Sequence, residues 1–193
     1  MPWSKDHKDT TRGRILETAS SALRAKGVAG VGVAQVMQEA GLTHGGFYAH
    51  FGSKEELVAD AFSHACDQSA GKLEKVAEAA PAGARLNAVA AAYLSPNHAR
   101  HPESGCPIAA LGPELVRGEG RAREAFGERI RQRLGWMETL APGKSKEERR
   151  RKAAGTYATM IGALLIARAL GDADGDRYLA QVRRFLEEGE PAA

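Results

Sequence analysis

Apolar residues recur at helical spacing along nearly the whole chain. Near the N-terminus Ile15, Leu16, Ala19, Ala22 and Leu23 share one face of an amphipathic helix. Val33, Val36, Met37 and Ala40 follow the i, i+3, i+4, i+7 pattern and predict a helix of about two turns. Gly41 closes that helix by reversing the chain, Leu42 supplies a core anchor, and Thr43 is placed to cap a second helix beginning near His44. The second helix must be short, because Gly52 follows and Ser53-Lys54-Glu55-Glu56 forms a capping box for the next one. Leu57, Val58, Ala61, Phe62 and Ala65 carry that third helix onward.

The same periodicity continues through Leu86, Val89, Ala90, Tyr93 and Leu94, and a loop is expected from Ser95 to Gly105. A short helix runs from Pro107 toward Leu111, and a longer one carries Phe126, Ile130, Leu134, Met137 and Leu140. A second capping box, Ser145 to Glu148, opens a helix reaching about Leu170, and the last helix bears Tyr178, Val182, Phe185 and Leu186. The tail Glu190 to Ala193 is expected to fray. No stretch alternates as a strand would, so the class is all-α, with about nine helices. The chain divides into residues 8–62 and 63–190, with the boundary inside the long third helix.

Two helices joined by a short glycine-containing turn are the arrangement of a helix-turn-helix DNA reader, whose second helix enters the major groove. Gly45 and Gly46 cost that helix roughly 1 kcal/mol each relative to alanine, and either close backbone approach to DNA or a frayed turn accounts for them. Tyr48 and His50 can donate to phosphate oxygens, and Lys54 sits against the dipole of the following helix, which calls for an external anion. Phe47 and Phe51 read as core pegs.

The segment from Thr11 to Phe62 resembles the N-terminal domain of the TetR/AcrR family of transcriptional regulators. The resemblance rests on Ala40-Gly41-Leu42-Thr43, then Phe47-Tyr48-Ala49-His50-Phe51, then Ser53-Lys54-Glu55-Glu56-Leu57. It implies DNA contacts at Thr43, His44, Tyr48, His50 and Lys54, with Gln35 facing phosphates or a base edge. The chain departs from the family pattern at Gly32 and Gly46, where threonines are usual. The resemblance also implies a homodimer built from the last two helices. The helix preceding the last is rich in small residues, Ala153, Ala154, Gly155, Ala158, Gly162, Ala163 and Ala167, which suits close helix approach across a two-fold axis.

Charge is consistent with nucleic-acid binding. Residues 1–54 hold seven Lys or Arg against four acids, whereas the remainder is balanced, so the net +3 lies at the N-terminal end. Lys5 to Arg14 is expected to form a mobile arm from which Lys8 or Arg12 reaches a phosphate. With 193 residues, 43% of them hydrophobic, the chain can bury a proper core. The longest apolar run, Met160 to Ala167, is short of a bilayer span, no secretory signal opens the chain, and two cysteines make no disulfide framework; a cytoplasmic protein that does not enter the membrane is expected.

The C-terminal helices resemble the family's ligand domain in order and size. A pocket for a small apolar or aromatic effector is expected among the fifth to eighth helices, lined by Tyr93, Cys106, Ile108, Leu111, Trp136, Met137, Tyr157 and Ile161. Pro107 places the Cys106 sulfur at a helix N-terminus, where a thiol pKa falls, so Cys106 is the candidate redox or electrophile sensor, with Cys66 a packing residue. A zinc site from His98, His101 and Cys106, or a thiol enzyme using either histidine as base, is the rarer alternative. No phosphate-binding, dinucleotide or nucleophile-elbow motif occurs, so no enzyme activity and no cofactor are expected. The reading is a repressor released from a near-palindromic operator by its effector. A constitutive DNA-binding protein is its rival.

Overall fold

The computed structural model describes residues 5–188, with side chains from residue 7. Among them there is no strand, and nine α-helices follow in order: α1 (Lys5–Lys26), α2 (Val33–Glu39), α3 (Lys54–Ala79), α4 (Arg85–Tyr93), α5 (Pro96–Arg100), α6 (Pro107–Arg117), α7 (Gly120–Leu140), α8 (Lys146–Leu170) and α9 (Asp172–Glu188). A 3-10 turn, His44–Ala49, lies between α2 and α3.

The chain packs as two compact units, and they do not follow the expected division into 8–62 and 63–190. One unit holds the residues up to Gln68 together with Cys106–Arg129; the other holds Ser69–Gly105 and the residues from Ile130 onward. The first unit therefore gathers α1, α2, the 3-10 turn, the first half of α3, all of α6 and the start of α7. Its core includes Ile15, Leu23, Met37, Phe47, Phe51, Phe62 and Leu111, each under 3% exposed. Phe126 of α7 joins this core against Phe62, with ring centroids 5.7 Å apart. Glu114 of α6 accepts the Val28 N–H at 2.9 Å just beyond the end of α1.

The second unit is built on α8 and α9. Ala153, Tyr157, Met160, Ala163, Leu164 and Ala167 form the buried face of α8, and Leu179 is the fully buried residue of α9. A side chain on Gly175 would stand 2.5 Å from the Ala167 carbonyl oxygen, so the two helices meet at backbone distance where only glycine fits. Leu86, Val89, Tyr93 and Leu94 of the α4 segment complete the core.

Four expectations change. The segment Lys5 to Arg14 is the first part of α1, and not an arm. The expected loop at Ser95–Gly105 contains α5, which starts on Pro96 with the Ser95 hydroxyl accepting the His98 N–H. α6 continues past Leu111 to Arg117 in spite of Pro113, because one missing N–H is outweighed by the burial of Leu115 and by the bond from Glu114 to Val28. α8 is also long and apolar enough, by length and composition, to cross a membrane, although one-third of its most apolar window (33%) is buried within the protein. Its alanines, with Met160, Ile161, Leu164, Leu165 and Ile166, raise the mean hydropathy, and its glycines lower it. The tail Glu190 to Ala193 lies outside the described residues.

Candidate nucleic-acid interface

The reader begins with how α2 ends. Gly41 has φ +70°, its N–H donates to the Gln38 carbonyl at 2.9 Å, and the Leu42 N–H donates to Met37 at 2.8 Å. These two bonds are a Schellman closure, which satisfies the last carbonyls of the helix and turns the chain at a fixed angle. Arg14 adds a third bond, donating to the Ala40 carbonyl at 2.5 Å. Gly32 caps the start of α2 without a side-chain bond, as expected of a residue with no side chain.

The turn 44–49 is a 3-10 helix, tighter than an α-helix. Thr43 occupies its N-cap position in extended conformation, but its hydroxyl makes no capping bond and is left exposed. Phe47 and Phe51 are buried, at 2% and 1%, and stack with centroids 5.6 Å apart. Arg12 covers Phe51, its guanidinium 4.7 Å from the ring centroid. The two phenylalanines therefore act as pegs, while His44, Gly45 and Ala49 are exposed and Tyr48 is 71% exposed. A side chain at Gly45 would meet nothing within 4 Å, and at Gly46 it would make ordinary contacts with Met37 and Thr43 at 3.7 Å. The protein's own packing therefore does not demand glycine at either position.

α3 opens as its sequence prescribes. The Glu56 N–H donates to the Ser53 hydroxyl at 3.1 Å, and the Glu56 carboxylate accepts the Gly52 N–H at 2.9 Å. This cap projects Lys54 into solvent beside the turn. His50 is half-buried, with its Nδ1 buried and lacking a hydrogen-bond partner. Burial lowers its pKa first, and the neighbouring charges of Lys8, Arg12 and His7 lower it further.

Two sequence assignments are modified. The Gln35 amide donates to Glu39 at 2.8 Å on the same helix, which engages one of its two N–H donors. Arg12 is held by Asp60 of α3 as well as by Phe51, and does not extend toward a phosphate. Of the basic residues that gave the N-terminal end its charge, Arg12, Arg14, Arg24 and Lys26 all have partners inside the protein. Lys8 and Lys54 are the exposed ones nearest the turn.

The eight residues expected to line one effector pocket are divided between the units. Cys106, Ile108 and Leu111 are buried in the first; Tyr93, Trp136, Met137, Tyr157 and Ile161 belong to the second. The second unit has a cavity of about 190 Å³ bordered by Lys72, Leu73, Val76, Tyr93, Asn97 and His98, and of the eight expected residues Tyr93 lines it. Trp136 is half-buried under the Arg133 guanidinium, 4.8 Å from its ring. Cys106 caps α6 as expected but is only 5% exposed. Among the described residues no group of three or more His, Cys, Asp or Glu is placed to hold a metal. His98 instead donates Nδ1–H to the Tyr93 carbonyl at 2.6 Å, and burial pushes its pKa down to about 4. The sequence singled out His98 only as a zinc ligand or a general base; its actual use depends on the fold of α5.

A helix-turn-helix reader followed by further helices defines a class of bacterial regulatory protein, and the comparisons agree with it. Residues 15–61 match the family described as bacterial regulatory proteins, tetR family. An uncharacterised HTH-type transcriptional regulator of Bacillus subtilis, YfiR, is 35% identical over 75 residues, 39% of this chain and 37% of that protein. The match thus spans little more than a third of that relative. The whole fold is shared with a TetR transcriptional regulator of Chloroflexus aurantiacus, at TM-score 0.79 and 23% identity over 95% of this chain and 97% of the other. A TetR-family regulator of Cytophaga hutchinsonii aligns at TM-score 0.80 and 22% identity, covering 97% and 98%. Residues 15–61 are thus similar to the tetR-family domain, and the chain shares its overall fold with regulators of that family.

Proposed function

We propose that the chain is a ligand-responsive DNA-binding transcriptional regulator, most simply a repressor, acting in the cytoplasm as a homodimer on a near-palindromic operator. The observation that carries the DNA-binding part is the turn 43–50: Thr43, His44, Gly45 and Tyr48 face solvent on a backbone anchored by Phe47, Phe51 and the Gly41 closure. In this reading Tyr48, His50 and Lys54 donate to phosphates, Thr43 and His44 reach the groove edge, and Gly45 and Gly46 let the backbone come close. Gln35 contributes through its second N–H or its amide oxygen, the first N–H being bonded to Glu39.

Dimerisation has its own support. Leu165, Ile166 and Leu170 on α8 and Phe185 on α9 are 41–67% exposed, an apolar surface that a second copy would cover. A dimer would set two reading turns one DNA turn apart, and an effector would act by favouring a spacing that fits the operator less well. The test is selection of duplexes from random DNA by the purified protein, followed by titration at several salt concentrations. Sequence-selective, salt-dependent binding that Tyr48→Ala weakens supports the reading; no selected sequence overturns it. Displacement by apolar or aromatic compounds then identifies the effector, and its complete absence favours a constitutive binder. A thiol electrophile added to the same assay examines Cys106, whose burial works against fast reaction.

A further inference from the structure

We infer that Asp60 is the residue through which α7 sets the position of the DNA-contacting turn. Its carboxylate is shared by two arginines from opposite directions: Arg12 of α1 donates to Oδ2, and Arg121 of α7 donates to Oδ1 at 2.8 Å. The Asp60 side chain is 17% exposed: Arg12 meets it in a part-buried contact, where losing the partner matters, and Arg121, 55% exposed, reaches it from the surface. Arg12 is not merely a counter-ion. Its guanidinium lies over Phe51, which stacks on Phe47, which meets Tyr48 edge-on at 5.2 Å. An unbroken line of contacts therefore runs from the first turn of α7 to the most exposed aromatic residue of the turn.

The start of α7 is fastened to the same helix by further contacts. Glu55 of α3 accepts the Arg121 backbone N–H at 2.9 Å, capping α7 from outside, and Arg121 lies 3.6 Å from Glu56. Glu56 in turn holds the Gly52 N–H, at the junction between the turn and α3. Gly120, at φ +67°, lets the chain bend into α7 directly against Glu55, where a side chain would collide with its carboxylate at 2.3 Å. Three consecutive acidic contacts on α3 thus tie α7 to the scaffold of the reader, and Asp60 alone of the three also holds an arginine that touches the aromatic pegs.

The inference rests on the DNA-binding reading and deepens it. Asp60, Arg12 and Arg121 are positioning residues, so removing them changes how well the turn fits DNA without removing a phosphate contact. The test uses the full-length protein and a duplex recovered by selection from random DNA. Arg121→Ala is expected to weaken binding about threefold to tenfold, with the salt slope unchanged. Asp60→Asn is expected to weaken it similarly, and the double variant to bind no worse than Asp60→Asn alone, because both changes cut one path. Thermal unfolding establishes that each variant is folded at the assay temperature; if Asp60→Asn is not, Arg12→Ala replaces it in the cycle. Arg121→Ala binding like the wild type overturns the inference, as do losses that multiply in the double variant. A salt slope that falls by about one shows instead that Arg121 touches a phosphate, and also overturns it. Failure of the wild type to select any duplex overturns the DNA-binding reading itself, a different result from all of these.

Discussion

Acid should destabilise the α4–α5 region through one histidine. In the fold His98 donates Nδ1–H to the Tyr93 carbonyl at 2.6 Å and stands edge-on to the Tyr93 ring at 4.5 Å, with burial and the charges of Arg168 and Lys72 opposing protonation. Its pKa falls from 6.5 to about 4. Above 6.5 the ring is neutral folded and unfolded alike, and the native contacts contribute in full. As pH falls, the unfolded chain takes the proton first, so stability is lost from about 6.5 downward and the loss levels off below about 4. Between pH 7 and pH 5 the difference is about 2 kcal/mol, at roughly 1.4 kcal/mol per unit. For a chain of this size that lowers the melting midpoint by about 4–8 °C. His98→Asn keeps an N–H donor for the Tyr93 carbonyl and cannot titrate. Urea unfolding of both proteins at pH 7, 6 and 5 isolates the effect, because carboxylates common to both cancel in the difference. Equal losses of stability in the two proteins between pH 7 and pH 5 would refute the assignment.

Other expectations are simpler to read. Phe51→Ala removes a fully buried ring beneath Arg12 and should destabilise the first unit by about 3–5 kcal/mol in denaturant titration, with DNA binding lost alongside; a cost under about 1 kcal/mol would show that the peg is not needed. Gly41→Ala should cost about 1–2 kcal/mol from backbone strain alone, since the added methyl group lies 3.6 Å from Arg14 Nη2 and has room; Gly41→Asn, which tolerates that conformation better, should cost less in the same measurement. Ile166→Glu on the exposed face of α8 should leave the chain folded but monomeric in sedimentation at micromolar concentration, and a wild type already monomeric there would remove the dimer from the proposed function.

The reader was legible from its sequence because its chemistry is local. Gly41, Ser53 and Glu56 act within a few residues of themselves, and the bonds they make in the fold are those their spacing calls for. Phe47 and Phe51 were readable as pegs for the same reason: in so short a turn they are the large side chains that carry no polar group. Helices whose ends depend on distant residues were harder. α5 is too short to show a period, and α6 passes Pro113 because Glu114 and Leu115 find partners on elements far away in sequence.

Charge shows the same limit more sharply. Counting basic residues placed the whole positive excess at the N-terminal end, and that count says nothing of where the guanidinium groups go. In the fold Arg14 closes a helix, Arg24 bonds its own helix at Ser20, and Arg12 joins Asp60 to Phe51. An arginine spent inside the protein cannot neutralise a phosphate, so the electrostatic share of DNA affinity should follow Lys8, Lys54 and the donors of the turn. The arginines instead determine where those donors stand. Its nearby acids are engaged as well: Glu55, Glu56 and Asp60 are occupied in holding α7, the start of α3 and α1 in place, and the turn is left to its own donors.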